Sequence, residues 1–512
     1  MQRLVLGLSI VSLLAACDVS QPETEAPRFD HVAEPLPFAR PELHAVEKFP
    51  GAAELPDTAY KKVKLRRSFF QRDFATLDEV MSQAHGHFVQ GEAPEDDAHG
   101  LIDALEKTEL AGIDTCSDWL EAKPNSYAAH LTCGAIWHNG AWAVRSGEFA
   151  AKVTPVRFAL MRERLDRSNT LLEKAVTLTE KPVEALTLLA ANRYLQGRDD
   201  AANQALQQAE ALMPTYGRLH EVRLVNALPE WGESQEAVAA AFAHAKNAGV
   251  DEKWLLYYED SFVVRPWKMS NPGAEKAYWE RVIAERPTRS RHKAFAKYFH
   301  RMQNWADIVP AASRVIADDS GNAEAYWMRA EAYEKLGDIP AALSDYRAAA
   351  ALGHDYASQK LIRSYIYGGL GLATKDWATL DEVCRYGAAL GSSAAANCMG
   401  SISWEGGSIG GPFKTNISQA FAWHLFAARA GYHNSQYDLG WLLLTGRAPG
   451  VQPEQAQING LFWLRRAAEL DHQFAKKKLQ EGGYPESEVI DETADTLSKA
   501  KELVWVILRF LL

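Results

Sequence analysis

At 512 residues the chain is longer than one ordinary globular core, so two or three structural units are expected. Hydrophobic residues make up 47%, with 15 Trp, 18 Tyr and 19 Phe, which excludes general disorder. The 55 Lys and Arg against 66 Asp and Glu leave a net charge of -11, opposite in sign to what phosphate binding needs, so no nucleic-acid partner is expected.

The first element, residues 1–16, reads as a signal peptide. Leu4 to Ala16 is an almost wholly apolar run behind Met1-Gln2-Arg3. It is too short for a spanning helix, which needs roughly 20 residues, but suits the core of a secretory signal. It ends in Leu14-Ala15-Ala16-Cys17, which resembles the lipobox of bacterial lipoproteins. The resemblance implies cleavage before Cys17, acylation of that residue, and attachment to the membrane through N-terminal acyl chains on the periplasmic face of the envelope. Asp18 resembles the residue that, in enterobacterial-type sorting, keeps such proteins at the inner membrane. Residues 17–60 then read as a tether, because Pro22, Pro27, Pro35, Pro37, Pro41, Pro50 and Pro56 forbid helix and favour an extended spacer. At about 3.1 Å per residue it reaches on the order of 100 Å.

The segment from Tyr60 to Phe70 is basic and then aromatic. It reads as the solvated face of a first helix, balanced by Asp73, Asp78 and Glu79, with contact to anionic lipid headgroups as the other reading. Beyond it the pattern is helical to about residue 480. Residues 61–285 lack a clean period but carry three phrases: Ser126-Tyr127-Ala128-Ala129-His130-Leu131, Ala141-Trp142-Ala143-Val144-Arg145-Ser146-Gly147, and Leu228-Pro229-Glu230-Trp231-Gly232. These resemble DUF4034, an uncharacterised family of bacterial proteins, although Ser146 is interposed where the family has Arg-Gly. The resemblance implies a helical fold and carries no known activity. Inside this region Val183 to Tyr216 spaces Ala190, Gly197, Ala202, Ala209 and Pro214 like a tetratricopeptide (TPR) unit.

Residues 286–356 repeat with a period of 34. In Ala323 to Tyr356, Ala330, Ala342 and Ala349 let two antiparallel helices approach, Tyr326, Tyr333 and Tyr346 fill the space between, and Gly337 makes the turn. Arg289 to Asn322 fits in phase before it with Ala296, Phe299 and Ala312. Both resemble the TPR family. Residues 357–480 change to a period of 40: Trp423 recurs as Trp463, and Ala388, Ala428 and Ala468 are equally spaced. The phrases Ala420-Phe421-Ala422-Trp423 and Ala427-Ala428-Arg429-Ala430-Gly431 resemble the second helix of Sel1-like repeats; Val383 stands where a first copy would hold tryptophan. Residues 481–512 form a C-terminal tail and capping helix whose apolar end, Leu503 to Leu512, either covers the last repeat or docks on a partner or membrane surface. The expected fold is all-α: an α-solenoid of antiparallel helix pairs, a TPR/Sel1-like superhelix behind a signal peptide and a Pro-rich tether.

Four cysteines remain beside Cys17. Cys116 and Cys133 are equidistant from the turn at Pro124-Asn125, and Cys384 and Cys398 straddle Gly391. Residues equally far from the turn of an antiparallel hairpin lie side by side, so two disulfides are expected, in keeping with an oxidising periplasm; buried thiols are the alternative. Chemistry-bearing motifs stay incomplete. His220-Glu221 lacks a second histidine at Leu224, and the glycine-rich run Gly406 to Thr415 places Lys414 two residues late for a phosphate loop. His85, His87 and His99 have no regular ligand spacing. No catalytic residue, metal or cofactor is assigned.

Binding is the natural output of stacked helix pairs, whose concave face is lined by first-helix positions. Here these are Lys293, Lys297 and His300, then Trp327, Glu331 and Glu334, with an ordinary solvated face as the alternative. The expected function is a membrane-anchored periplasmic scaffold for protein or peptide partners. An immunity-type inhibitor of a delivered toxin and an unrecognised enzyme are the alternatives. The oligomeric state is left open.

Overall fold

The computed structural model describes Pro41 and residues 48–483, except 107, 109–111, 146–152, 154, 232, 405–408 and 410. The leader, Cys17, Asp18, most of the tether, Ser146, part of the glycine-rich run and the apolar C-terminal end lie outside the described residues. Among the described residues there are 23 α-helices and no strand beyond an isolated bridge between Gly369 and Leu372. None of these helices is long and apolar enough to cross a membrane.

The helices follow in chain order. Lys61–Phe70 (α1), Phe74–Gln90 (α2), Glu95–Glu106 (α3) and Ile113–Ala122 (α4) lead into the long pair Tyr127–Arg145 (α5) and Pro155–Val176 (α6). Next come Val183–Leu195 (α7), Asp199–Leu212 (α8), Gly217–Asn226 (α9), Gln235–Asn247 (α10), Glu252–Tyr258 (α11) and Pro272–Glu285 (α12). The 34-residue units are Arg289–Arg301 (α13) with Trp305–Asp318 (α14), and Ala323–Leu336 (α15) with Ile339–Ala351 (α16). The 40-residue units are Asp355–Tyr367 (α17) with Trp377–Ala389 (α18), Ser393–Ile402 (α19) with Ile417–Arg429 (α20), and His433–Leu444 (α21) with Pro453–Glu469 (α22). Gln473–Glu481 (α23) is the last described helix.

Both periods are held by local chemistry. Thr288 and Asn322 accept from the backbone N–H of Arg291 and Ala325, starting α13 and α15. Asp376 and Asn416 do the same for the second helices α18 and α20. The turns before the first helices need a left-handed residue: Gly353, Gly391 and Gly431 take φ of +84°, +82° and +82°. Asp471 takes the same place before α23 at φ +64°, a conformation that Asp tolerates better than most side chains. Between paired helices the interface is built of small residues, with Ala330, Ala342, Ala349 and Ala388 fully buried, and Trp423 and Trp463 fill the wider gaps.

The expected disulfides are both formed. Cys116 at α4 bonds Cys133 at α5 across a Cα separation of 5.6 Å, and Cys384 at α18 bonds Cys398 at α19 across 5.9 Å. All four residues are buried, so each bridge ties a helix pair from within.

The first helix departs from expectation. Two apolar pairs lie on opposite sides of α1, Val63 with Phe70 and Leu65 with Phe69, and all four side chains are buried. Leu65 and Phe69 face the neighbouring N-terminal helices, with Phe69 edge-on to Trp119 at 6.2 Å between centroids. Val63 and Phe70 face the far end of the chain. Val63 joins the core that holds Tyr326, Leu361 and Tyr386, and the Phe70 ring meets Phe426 at 5.6 Å. Arg66 donates to the carbonyls of Ala104, at 2.6 Å, and Gly353, at 3.3 Å. Arg67 lies over the Tyr386 ring at 5.6 Å. Lys61, Lys62 and Lys64 remain exposed, but the helix as a whole is wedged between both halves of the solenoid rather than solvated along one face. The acids expected to balance it are used elsewhere: Asp73 caps α2, and Asp78 accepts from Ser126.

Packing also begins before residue 60. Phe49 is buried edge-on to Tyr386 at 5.3 Å, and Ala52 and Leu55 pack against the same core. The end of the tether, Pro50 and Pro56 included, therefore lies along the 40-residue units, because Phe49 and Leu55 have an apolar surface to meet there. A further link, Arg429 to Asp114 at 2.7 Å, bridges α20 and α4. The solenoid thus folds back until its first helices touch the 40-residue units.

Candidate binding face

Stacking places the first helices α13, α15 and α17 side by side, and the sequence-expected face forms an ordered ladder across them. Lys293 and Lys297 both reach Glu324, each at 2.9 Å. Burial works to raise the Glu324 carboxyl, yet the two ammonium groups hold it down at about 2. The Nε2 of His300 lies 2.8 Å from Glu331, and this contact lowers the Glu331 carboxyl. Glu334 accepts from Lys360 at 2.6 Å and from Tyr346 at 2.8 Å. Five of the six expected residues are thus joined to a neighbouring helix, Lys293, Lys297 and Glu334 by ion pairs and His300 and Glu331 by their hydrogen bond. The sixth, Trp327, sits among rings, 4.9 Å from His300 and stacked on His354 at 5.1 Å and Tyr356 at 6.1 Å. Burial lowers the His354 imidazole to about 4, which keeps it a neutral stacking surface at pH 7.

This ladder opens on a cavity of about 650 Å³ where α1 meets the repeats. Lys62 and Arg66 line it from α1, Lys293 and Glu324 from the 34-residue units, and His354, Tyr356, Tyr432 and His433 from the turns and first helical residues of the 40-residue units. Of the six expected residues, only Lys293 lines the cavity itself. Tyr356 stands at its edge and is 69% exposed. Sequence reasoning missed the contribution of the turns. The signal was available, because Tyr432 and His472 stand 40 residues apart and His354 stands 78 before Tyr432, nearly two periods, each immediately before a first helix.

The incomplete motifs stay apart in space. His220 Nε2 donates to the carbonyl of Pro214 at 2.8 Å, and Glu221 accepts from Tyr257 at 2.8 Å. His85, His87 and His99 pair with three different carboxylates, those of Glu184, Glu92 and Asp103.

Residues 61–230 match the family described as Domain of unknown function (DUF4034). The matched segment begins at α1 and ends within the Leu228-Pro229-Glu230-Trp231 phrase, short of the expected limit at 285. No curated protein matches the chain. Two solved structures are similar at 18% identity. One is a protective antigen present in uropathogenic Escherichia coli strains displaying an SLR fold, covering 78% of this chain and 82% of that one at a TM-score of 0.36. The other is a Sel1 repeat protein from Oxalobacter formigenes, covering 73% of this chain and 94% of that one at a TM-score of 0.31. In the matched segment residues 127–131 and 141–145 of the quoted phrases fall on α5 and Pro229–Trp231 on a short turn, and the rings of Trp142 and Trp231 meet at 6.4 Å.

Proposed function

We propose that this chain is an exported, lipid-anchored envelope scaffold that holds protein partners against the inner face of its repeats and catalyses no reaction. The observation that carries this reading is the aromatic ladder Trp327, His354 and Tyr356 at the mouth of the inner cavity. Trp327 stacks on both of the other rings, and Tyr356 offers most of its surface to solvent. Rigid, partly exposed aromatic side chains are the usual anchors of protein interfaces, because they bury much area at little entropic cost. The lipobox-like Leu14-Ala15-Ala16-Cys17 and the two disulfides support a location in the oxidising envelope.

A photo-crosslinking residue placed at Tyr356 in living cells tests the reading. Discrete adducts with other envelope proteins are expected, lost when Trp327 is replaced by alanine and not seen from an exposed position such as Ile458. Equal adducts from both positions would remove the inner face as the binding surface. Replacement of Cys17 by serine is expected to release the protein from the membrane fraction; unchanged partitioning would remove the lipid anchor.

A further inference from the structure

The DUF4034 segment holds a second cavity, of about 270 Å³, that shares no lining residue with the first. Its walls come from α3, α5, α7 and α9 and from the turn Pro229–Trp231. Trp142 and Trp231 form an edge-to-face aromatic corner, and Tyr194 and Val222 extend the apolar lining. A cavity near 300 Å³, mainly apolar with a few convergent polar groups, has the form of a small-ligand site.

The polar groups decide the ligand's charge. Arg218 lies between Asp103, at 3.3 Å, and Glu221, at 3.7 Å, so its guanidinium is already matched. Glu184 is engaged by His85 at 2.6 Å and by Tyr127 at 3.0 Å. Glu106 is different. Its side-chain partner is Asn139, and among the described residues no basic side chain forms an ion pair with it. Burial, and then the nearby Asp103, push its carboxyl upward, outweighing the opposite pull of His99 and Arg218. Asn139 and Trp142 are three residues apart on one face of α5, so the carboxyl and the aromatic corner belong to the same wall.

We infer that this cavity binds a small organic cation, an ammonium or guanidinium group on an apolar stem, with its head against Glu106 and its stem on the Trp142–Trp231 corner. An anion would face three lining carboxylates, Glu106, Glu184 and Glu221, against the one guanidinium of Arg218, and a neutral ligand would leave that excess of negative charge in place. Aromatic rings attract a desolvated cation in addition to the carboxylate. The same chemistry is offered by a free amine or by a lysine side chain of a partner.

Titration calorimetry on the full chain tests this, with phenethylamine, agmatine and a blocked lysyl peptide set against 2-phenylethanol and phenylacetate. Saturable binding of at least one cation is expected, with the neutral and anionic analogues at least tenfold weaker. Glu106→Gln is expected to weaken the cation at least tenfold while the thermal midpoint holds. If that variant also melts earlier, Trp142→Leu reads the same site and is expected to weaken phenethylamine more than agmatine. Tighter binding of the free amines assigns a small-molecule ligand; tighter binding of the peptide assigns a partner's side chain. Equal heats from phenethylamine and 2-phenylethanol, no saturable binding of any cation, or unchanged affinity in Glu106→Gln would each overturn the inference.

Discussion

His424, buried, and Asp438, half-buried, form a pair whose titrations oppose each other. Burial lowers the His424 imidazole to about 3 and raises the Asp438 carboxyl to about 7, with 3.8 Å between them. The His424 contribution to stability is complete above the ordinary histidine value and is lost as pH falls toward 3. The Asp438 contribution is complete below the ordinary aspartate value and is lost as pH rises toward 7. Between about pH 4 and 6.5 the two slopes offset one another. Asp438→Asn is therefore expected to make the thermal midpoint climb with pH across that window relative to the parent chain, and His424→Gln to make it fall. Parallel curves for both variants would show that neither group titrates as placed. Close packing makes a second residue sensitive. Gly391 sits at φ +82°, and a Cβ there would lie 2.5 Å from the Phe70 ring. Gly391→Ala is expected to cost roughly 2–4 kcal/mol, read as a drop in thermal midpoint, since backbone strain and overpacking add.

Among the elements, the disulfide-tied pairs α4–α5 and α18–α19 are the clearest to probe. Replacing Cys116 and Cys133 together by alanine is expected to cost about 3 kcal/mol, and to speed amide exchange in α4 more than in α13. These pairings were readable beforehand because cysteines placed symmetrically about a turn require only that both helices form. The 34- and 40-residue periods were readable for the same reason: each repeat states its own small residues, turn and cap. What the periods do not contain was missed. Residues Glu259–Val264 form a π-helical turn that places Asp260 against Arg291 at 2.8 Å and beside Tyr278 at 2.5 Å, all buried. One irregular turn leaves no recurring pattern, so its partners 18 and 31 residues away stay hidden. Asp260→Leu would leave the buried Arg291 charge with only Glu259, at 3.9 Å, at an expected cost of about 3 kcal/mol, measured by chemical denaturation. The two-sided burial of α1 had a legible sign in its paired stripes, Val63 with Phe70 and Leu65 with Phe69. At the inner face, the ladder positions followed from the repeat register, whereas the cavity depended on α1 and could not be read from the repeats alone.

For the whole molecule, α1 and the stretch from Phe49 decide the shape, because they join surfaces that stand 287 residues apart at Arg66 and Gly353. Replacing Arg66 and Phe70 together by alanine is expected to release this junction and raise the radius of gyration seen by small-angle scattering. An unchanged radius would mean that the repeats hold their curvature unaided. The junction also bears on how such a chain can change over generations. An open array of helix pairs tolerates the gain or loss of one unit by duplication or deletion, since each unit touches only its neighbours. Here the count of units sets whether Phe426 arrives at Phe70 and Arg429 at Asp114. Deleting one 40-residue pair would move both partners out of reach, as removing a link leaves a bracelet unable to meet its clasp. Descendants of this chain are therefore expected to diverge by substitution on a fixed number of repeats, with new length entering at loops that do not lie between the two halves of the clasp.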